Sequence, residues 1–566
     1  PRSYYQPSAS ALSWYERGTD ALRNGAYYQA SKALEQAIAI DANYALARAR
    51  LAQALTELDY IDRAKDQLLA SDRSSLSPVD ALYFDAITST VRRDFAGAVK
   101  AYEELTKLTP NESHVYLDLG SAHENSGNVD KALENYLKSV QVANGQDATA
   151  FLRAGMIYNR KQNGAKAIEF FDRAEHLYTV ETNNEGVNEV RRQRGILFRD
   201  QGKYNDARDQ FERSLDAARA LGNEAQQINA LIELSFLLST KGSIEESADF
   251  AGQAVKLAQD QHLENLAAAG LLELGNSFSN RGDYGNAEKY YKQAIDLARA
   301  NKGRRREAQG MLNLGGLYIT QLQTEKGLQL VQQALVFFQQ GNYSRDVSRS
   351  LTQIGRAKRR QGSYDAAIEA LNQKLQIAQQ GGGQPQIADC YAEIGAVLFD
   401  QERYPEALQR YDEAQTIYQS IGNRIRIVFG QTNRANILWR LGRTAEAKQL
   451  LNEVNSSASQ TEGEFKQIIP ALRLISAEIA LSERKFSEAS SESSKALALS
   501  GNYRDTSIEA TFTLALSKAL LGDNKALALS AEAVKMATET GDNTLICHAL
   551  LAQAEVELHN GSAQSA

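Results

Sequence analysis

Residues 270–299 read GLLELGNSFSNRGDYGNAEKYYKQAIDLAR. Apolar side chains recur at i, i+3, i+4 and i+7 on either side of Arg281-Gly282-Asp283, which predicts two amphipathic helices joined by a tight turn. Gly282 suits that turn because it reaches positive φ without a Cβ clash. Gly275 and Ala287 stand twelve residues apart, one in each helix. Both are small, so the two backbones are expected to approach closely there. A single hairpin of this kind cannot cover its own apolar face and must stack on a neighbour.

The neighbours are present. The small residue of the first helix recurs as Gly18, Ala52, Ala86, Gly120, Gly155, Gly195, Ser235, Gly275, Gly315, Gly355, Gly395, Ala435 and Ala477. The steps are 34 or 35 residues up to Gly155, then 40 seven times, then 42. Twelve residues after each stands a second small residue, from Ala30 and Ala64 to Ala447 and Ala489. An aromatic is common nine after, as at Tyr27, Phe95, Tyr204, Tyr284, Tyr364, Tyr404 and Phe486. A glycine is common seven after, as at Gly25, Gly127, Gly202, Gly242, Gly282, Gly362 and Gly442. Six extra residues per unit lengthen the helices by about 9 Å in all, at 1.5 Å each.

Composition agrees with a helical solenoid. The 566 residues include only 7 Pro, about a quarter of the roughly 5% found in average usage. All-β, collagen-like and Pro-rich disordered classes are thereby disfavoured. Pro405 sits just inside a helix start, where a missing N–H is harmless. Pro78, Pro110, Pro385 and Pro470 fall in or near connections. The net charge of −7 is mixed over the chain and gives no polyanion-binding footprint. Cys390 and Cys547 are too far apart in sequence for a CxxC metal or redox site, and both read as small buried residues. No run of 18 apolar residues occurs, so no segment reads as a membrane span. The chain starts at Pro1, so it is expected to be processed, trimmed or cut from something longer.

The repeat resembles the tetratricopeptide repeat (TPR) family over residues 12–560, with 34-residue units first and 40-residue variants after, as in kinesin light chains and related adaptors. The resemblance implies an all-α fold: an α-solenoid, a right-handed superhelix of about 14 hairpins. The expected divisions are an arm over 1–11, 34-residue units over 12–180, 40-residue units over 181–460, divergent units over 461–543, and a terminal helix and tail over 544–566. A narrower likeness rests on SWYERGTDALRNGAYYQASKALEQAIAID (residues 13–41) and the two stretches after it. They resemble the TPR region that follows the membrane span of bacterial receptor-type Ser/Thr kinases. That implies an extracytoplasmic or cell-surface setting, with a cytoplasmic one as the alternative. The kinase itself is absent: Asp94-Phe95 is followed by Ala96, and no phosphate loop occurs.

The scan for catalysis is negative. There is no GxxxxGK[ST], GxSxG or HExxH. His114, His123, His176, His262, His548 and His559 are scattered without metal-ligand spacing. The reading is therefore no enzyme, no cofactor and no metal. The informative positions are those that the resemblance places in the groove, one, four and five residues after the first small residue. Asn276 and Asn436 hold the first of these, where the family commonly uses Asn to bond a bound peptide backbone. Arg356 holds it in another unit. The other two positions give Arg199, Arg359, Arg360, Trp439 and Arg440. This basic cluster suits partner carboxylates. The competing reading pairs those arginines with Asp200, Glu393 and Asp400.

A solenoid also has two ends. Residues 544–559 predict a last helix that rests on the preceding unit through Leu545, Ile546, Ala549, Leu550, Ala552 and Val556. Leu551, Ala554 and Leu558 are left for its other flank. PRSYYQPSASA at the start is an aromatic lead without helical pattern. Tyr4, Tyr5, Leu551 and Leu558 are the candidate end-to-end contacts, and head-to-tail contact of unlike ends builds a filament. Three readings follow: a scaffold that binds a protein or peptide in its groove, a subunit that polymerises through its ends, and the sensory region of a membrane kinase. None involves nucleic acid.

Overall fold

The structure is a computed structural model. It describes residues 4–23, 25–58, 60–241, 243–321, 323–381, 383–459, 468–501 and 504–560. Gly242, singled out above as a turn residue, and the tail beyond 560 lie outside the described residues. Among the described residues are 29 α-helices, α1 to α29 in chain order, one 3-10 turn at Arg73–Ser75, and no strand. Within each of its two units, helices adjacent in the chain pack on one another as hairpins, and the fold is the expected all-α solenoid. The chain forms two compact units. The first is Pro1–Asn313 with Val336–Tyr343 and Gln379–Gly383, and the second is Leu314–Leu335, Ser344–Ala378 and Gln384–Ala566.

The opening stretch forms α15 (Glu264–Asn280) and α16 (Tyr284–Ala300). Gly282 ends α15 with φ +81°, and the Asp283 carboxylate caps α16 by accepting from Asn286 N–H. Units without the glycine place another residue in the same left-handed conformation: Arg93, Gln162, Glu402 and Arg484 each stand seven after the small residue and have φ near +60°. The turn geometry is thus fixed by the stack, and glycine is only the unstrained choice.

The small residues have a more specific cause than close approach alone. A Cβ on Gly275 would sit 2.5 Å from the Tyr291 ring. Gly120, Gly155, Gly195 and Gly395 meet Tyr136, Phe171, Phe211 and Tyr411 in the same way, at 2.5 to 2.9 Å. Each partner stands sixteen residues on, in the second helix, and is buried. The large ring takes the space the first helix leaves. Where serine replaces glycine, at Ser235, its hydroxyl meets Ser247 Oγ at 3.1 Å, and Ser247 Oγ in turn donates to the Ser235 carbonyl at 2.8 Å and meets Ser277 Oγ at 2.8 Å.

Helices of the early units run 13 to 15 residues, apart from the nine of α4. Helices α11 to α13 and their neighbours run 17 or 18, joined by three-residue turns. The six extra residues are therefore helical, about 4.5 Å per helix. Pro78, Pro405 and Pro470 all stand in the first turn of a helix.

The described residues nearest each end pack on the body. Tyr5 N–H donates to the Ser75 carbonyl at 3.1 Å, and its ring lies 6.2 Å from Tyr44. The lead is thus docked on its own first hairpins, leaving Tyr4 exposed. Helix α29 (Asn543–His559) buries Leu545, Ala549, Ala552 and Val556. Leu550 does not join them and is 49% exposed, with Leu551 at 60% and Leu558 at 57%. Cys390 is buried, but Cys547 is exposed, against the expectation that both are buried. It stands two residues off the buried stripe and so points the other way.

Candidate functional site

Groove side chains of the first unit satisfy one another. Arg50 is 4% exposed and pairs with Asp118 at 3.5 Å and Gln53 at 2.8 Å. Arg153 bonds the Tyr27 hydroxyl and lies 3.6 Å from Glu57. Tyr136 donates to Glu124 at 2.6 Å, and Arg160 holds the other oxygen at 2.7 Å. What remains is a void of about 40 Å3, room for about one water.

Two of the expected groove residues lie in this unit, and both are committed. Arg199 donates to Glu233 at 2.8 Å, approaches Asp200 at 3.6 Å and lies over the Phe236 ring. Asn276 accepts from the Tyr291 hydroxyl at 2.8 Å and from Asn313 at 3.1 Å, and donates to Glu273 at 3.0 Å. A wider recess of about 620 Å3 opens beside Trp14, Lys32 and Glu185. Its cations are also engaged, Arg17 over Trp14 and Lys32 with Glu35.

The second unit differs. Helices α19 (Ser344–Arg360), α21 (Gln384–Asp400), α23 (Arg424–Arg440) and α27 (Arg504–Leu520) line a cleft of about 510 Å3. Three of the expected residues meet there: Arg356, Arg359 and Asn436. Arg359 is bidentate on Asp400 at 2.5 and 2.9 Å, which holds its guanidinium charged despite burial.

Arg356 makes no hydrogen bond or ion pair among the described residues. The acid that faces it, Glu393, gives its carboxylate to Lys374 at 2.6 Å. Burial and the neighbouring Arg360 and Arg359 push the Arg356 pKa down from its ordinary value, with Glu393 opposing them. An arginine so placed stays charged near neutral pH and gains from an added anion. Asn436 turns its Oδ1 inward with no donor to meet it.

The other expected residues are placed elsewhere. Arg360 donates to the Ile319 carbonyl at 3.1 Å and lies 3.8 Å from Asp505. Arg440 stacks on Trp439 and reaches Glu478 at 3.4 Å. Trp439 packs on the core beneath.

Two lining residues escaped the sequence reading. Phe429 is 50% exposed at the cleft. With Asn433 and Asn436 it forms an i, i+4, i+7 stripe, a signal that was available had the groove positions been extended toward the helix start. Glu509 lines the cleft from α27, with no bonding partner for its carboxyl among the described residues. Burial, then Glu478 and Asp505, push its pKa up to about 8. The described residues contain no group of acids, histidines and cysteines fit for a metal, and no helix there is long and apolar enough to cross a membrane.

Family models match the repeat. Three models, each described as tetratricopeptide repeat, match the chain. One matches residues 146–220, 186–260, 346–420 and 386–460, another residues 91–148 and a third residues 271–305. No curated protein matches. Among solved structures, a chain of the APC/C hetero-tetramer Cut9–Hcn1 is similar at 14% identity and a TM-score of 0.43, over 90% of this chain and 96% of that one. The repeat matches span more than half of the residues, and the hairpins stack as that repeat requires: the chain belongs to the tetratricopeptide-repeat family.

Proposed function

We propose that this chain is a non-enzymatic scaffold that holds a partner protein or peptide in the cleft of its second unit. The observation that carries the reading is Arg356, a cation in a cleft with no partner of its own. Arg356 is exposed in the cleft, so a carboxylate from outside can reach it and form a charge-assisted bond that the chain itself does not supply. Asn436 adds an unmet acceptor for a backbone N–H beside it. The test is fluorescence anisotropy with an acetylated, amidated hexapeptide carrying two glutamates. Binding is expected to fall at least tenfold in Arg356→Glu and to weaken with salt. Equal binding by the variant overturns the reading.

A second reading is favoured by α29, whose Leu550, Leu551 and Leu558 are exposed together with Tyr4 at the other end. These suit end-to-end assembly of copies. Light scattering of the purified chain tests it. A strict monomer at high concentration removes it, and a polymer dispersed by Leu551→Glu with Leu558→Glu supports it.

A further inference from the structure

The cleft carries opposite charges on different helices. Arg356 and Arg359 stand on α19, and Arg359 is already neutralised by Asp400 on α21. Glu509 stands on α27 and lines the cleft, and its carboxyl has neither a hydrogen bond nor an ion pair among the described residues. The charged groups that act most on Glu509 are mostly acidic: Glu478, Asp505 on its own helix, and Asp400, against the cation Arg440. That cation is itself shared with Glu478 at 3.4 Å and stacked on Trp439. On α29, His548 is near Arg440 and Asp400 and is held toward its neutral form, so it adds no positive charge. Asp505 is met by Arg360 only at 3.8 Å. One side of the cleft thus lacks an anion and the other lacks a cation. Asn436, Phe429 and Tyr411 also line it. They offer an acceptor and aromatic faces suited to a peptide backbone and the stem of a long cationic side chain.

We infer that the occupant of this cleft is a peptide segment of mixed charge, with an acidic side chain on Arg356 and a lysine or arginine on Glu509. This deepens, and rests on, the scaffold reading above. A purely acidic ligand satisfies Arg356 but leaves Glu509 and Glu478 facing each other without relief. A basic group beside Glu509 draws off its proton and completes an ion pair in a partly desolvated site, where such pairs count for more than at the surface. Among the described residues no cation forms an ion pair with Glu509, and Arg440 is shared with Glu478.

Three acetylated, amidated hexapeptides test this by anisotropy on the full chain: one with two glutamates, one with two lysines, and one with a glutamate and a lysine three residues apart. The mixed peptide is expected to bind at least tenfold tighter than either other at pH 7. Glu509→Gln is expected to bring it down to the affinity of the acidic peptide and to leave that affinity unchanged. Arg356→Gln is expected to remove the acidic contribution. A measurement without variants supports these. From pH 6.5 to 9 Glu509 loses its proton, so the mixed peptide should gain affinity and the acidic peptide should lose it. If the acidic peptide binds as tightly as the mixed one, and neither responds to pH or to Glu509→Gln, the mixed-charge inference falls and the scaffold reading stands. If no peptide binds, both fall.

Discussion

Asn276 and Asn436 hold the same place in their repeats, one residue after the first small residue, yet they live in different surroundings. Asn276, in the first unit, has three partners from within the chain. Asn436, in the second, has a buried oxygen with none. Among the arginines the contrast is narrower. Arg50, Arg153 and Arg199 are spent on internal acids and a tyrosine hydroxyl, and Arg359 and Arg440 of the second unit are spent on acids too, whereas Arg356 is not. The family's groove positions are thus a template that can be filled from inside or left open. In this chain the first unit fills it and the second keeps a cleft.

The sharpest way to break the contrast is to strand a charge in the filled groove. Asp118→Ala leaves Arg50 buried without its anion, which costs about 3–5 kcal/mol. Urea denaturation followed by far-UV circular dichroism should show that loss. A loss under 1 kcal/mol would mean that the first groove is wetter and more open than its 40 Å3 void implies.

The second test is stability against pH. Glu509 is raised from an ordinary value of 4.5 to about 8, and burial comes first among the causes. Glu185, in the first unit, is raised to about 7, again by burial. A carboxyl whose folded pKa lies above its unfolded one binds more protons when folded. Its contribution to stability is therefore present below pH 4.5 and is lost as pH rises through the folded value. Both acids give this falling slope, and between pH 7 and 8 Glu509 remains as its main source. The slope there is at most ~1.4 kcal/mol per pH unit for one proton, and Glu509→Gln should flatten it. An unchanged slope in that variant would mean that Glu509 finds a cation within the chain.

Why was so much of this legible in the sequence, and not the division between filled and open? The hairpins were legible because each depends on contacts close in sequence: a small residue, a turn seven residues later, and a ring sixteen residues later. The ring itself went unremarked, although Tyr291 and Phe211 stand in plain register with Gly275 and Gly195. Pairing across the groove joins adjacent repeats and spans about forty residues: Arg359 to Asp400, Arg199 to Glu233, Gln226 to Glu185. Which partner wins depends on competitors on the second helices. Glu393 stands 37 residues after Arg356 and faces it, but Lys374 on α20 (Tyr364–Gln380) takes its carboxylate. Position alone cannot reveal that commitment. Glu509 was missed for a related reason. It stands six residues before Ala515, as Phe429 stands six before Ala435, nearer the helix start than the groove template reaches.

The asparagines give a smaller and cleaner effect. Asn276→Ala leaves the Tyr291 hydroxyl and the Asn313 amide short of an acceptor, a cost of about 1–2 kcal/mol. Asn436→Ala removes an acceptor that already lacks a donor, so its effect on stability should stay within about 0.5 kcal/mol. Paired thermal melts of the two variants measure the difference directly. Equal losses would erase the distinction between the two places.

The smallest effect expected is also the most telling. Arg356→Gln removes a charge that sits beside two other guanidiniums and pairs with nothing. For a group that serves the fold, truncation costs stability, as it should for Arg50 and Arg199. For Arg356 the neighbouring Arg359 and Arg360 oppose the charge, so its removal should leave stability within about 0.5 kcal/mol of the parent and tend to raise it. Differential scanning calorimetry at low salt, where the repulsion is least screened, is the measurement that resolves so small a change. A stabilised variant that has lost its acidic peptide would show that Arg356 is kept for the ligand at some expense to the fold. A loss of 1 kcal/mol or more would place Arg356 with the structural arginines of the first unit and close the cleft as a candidate site.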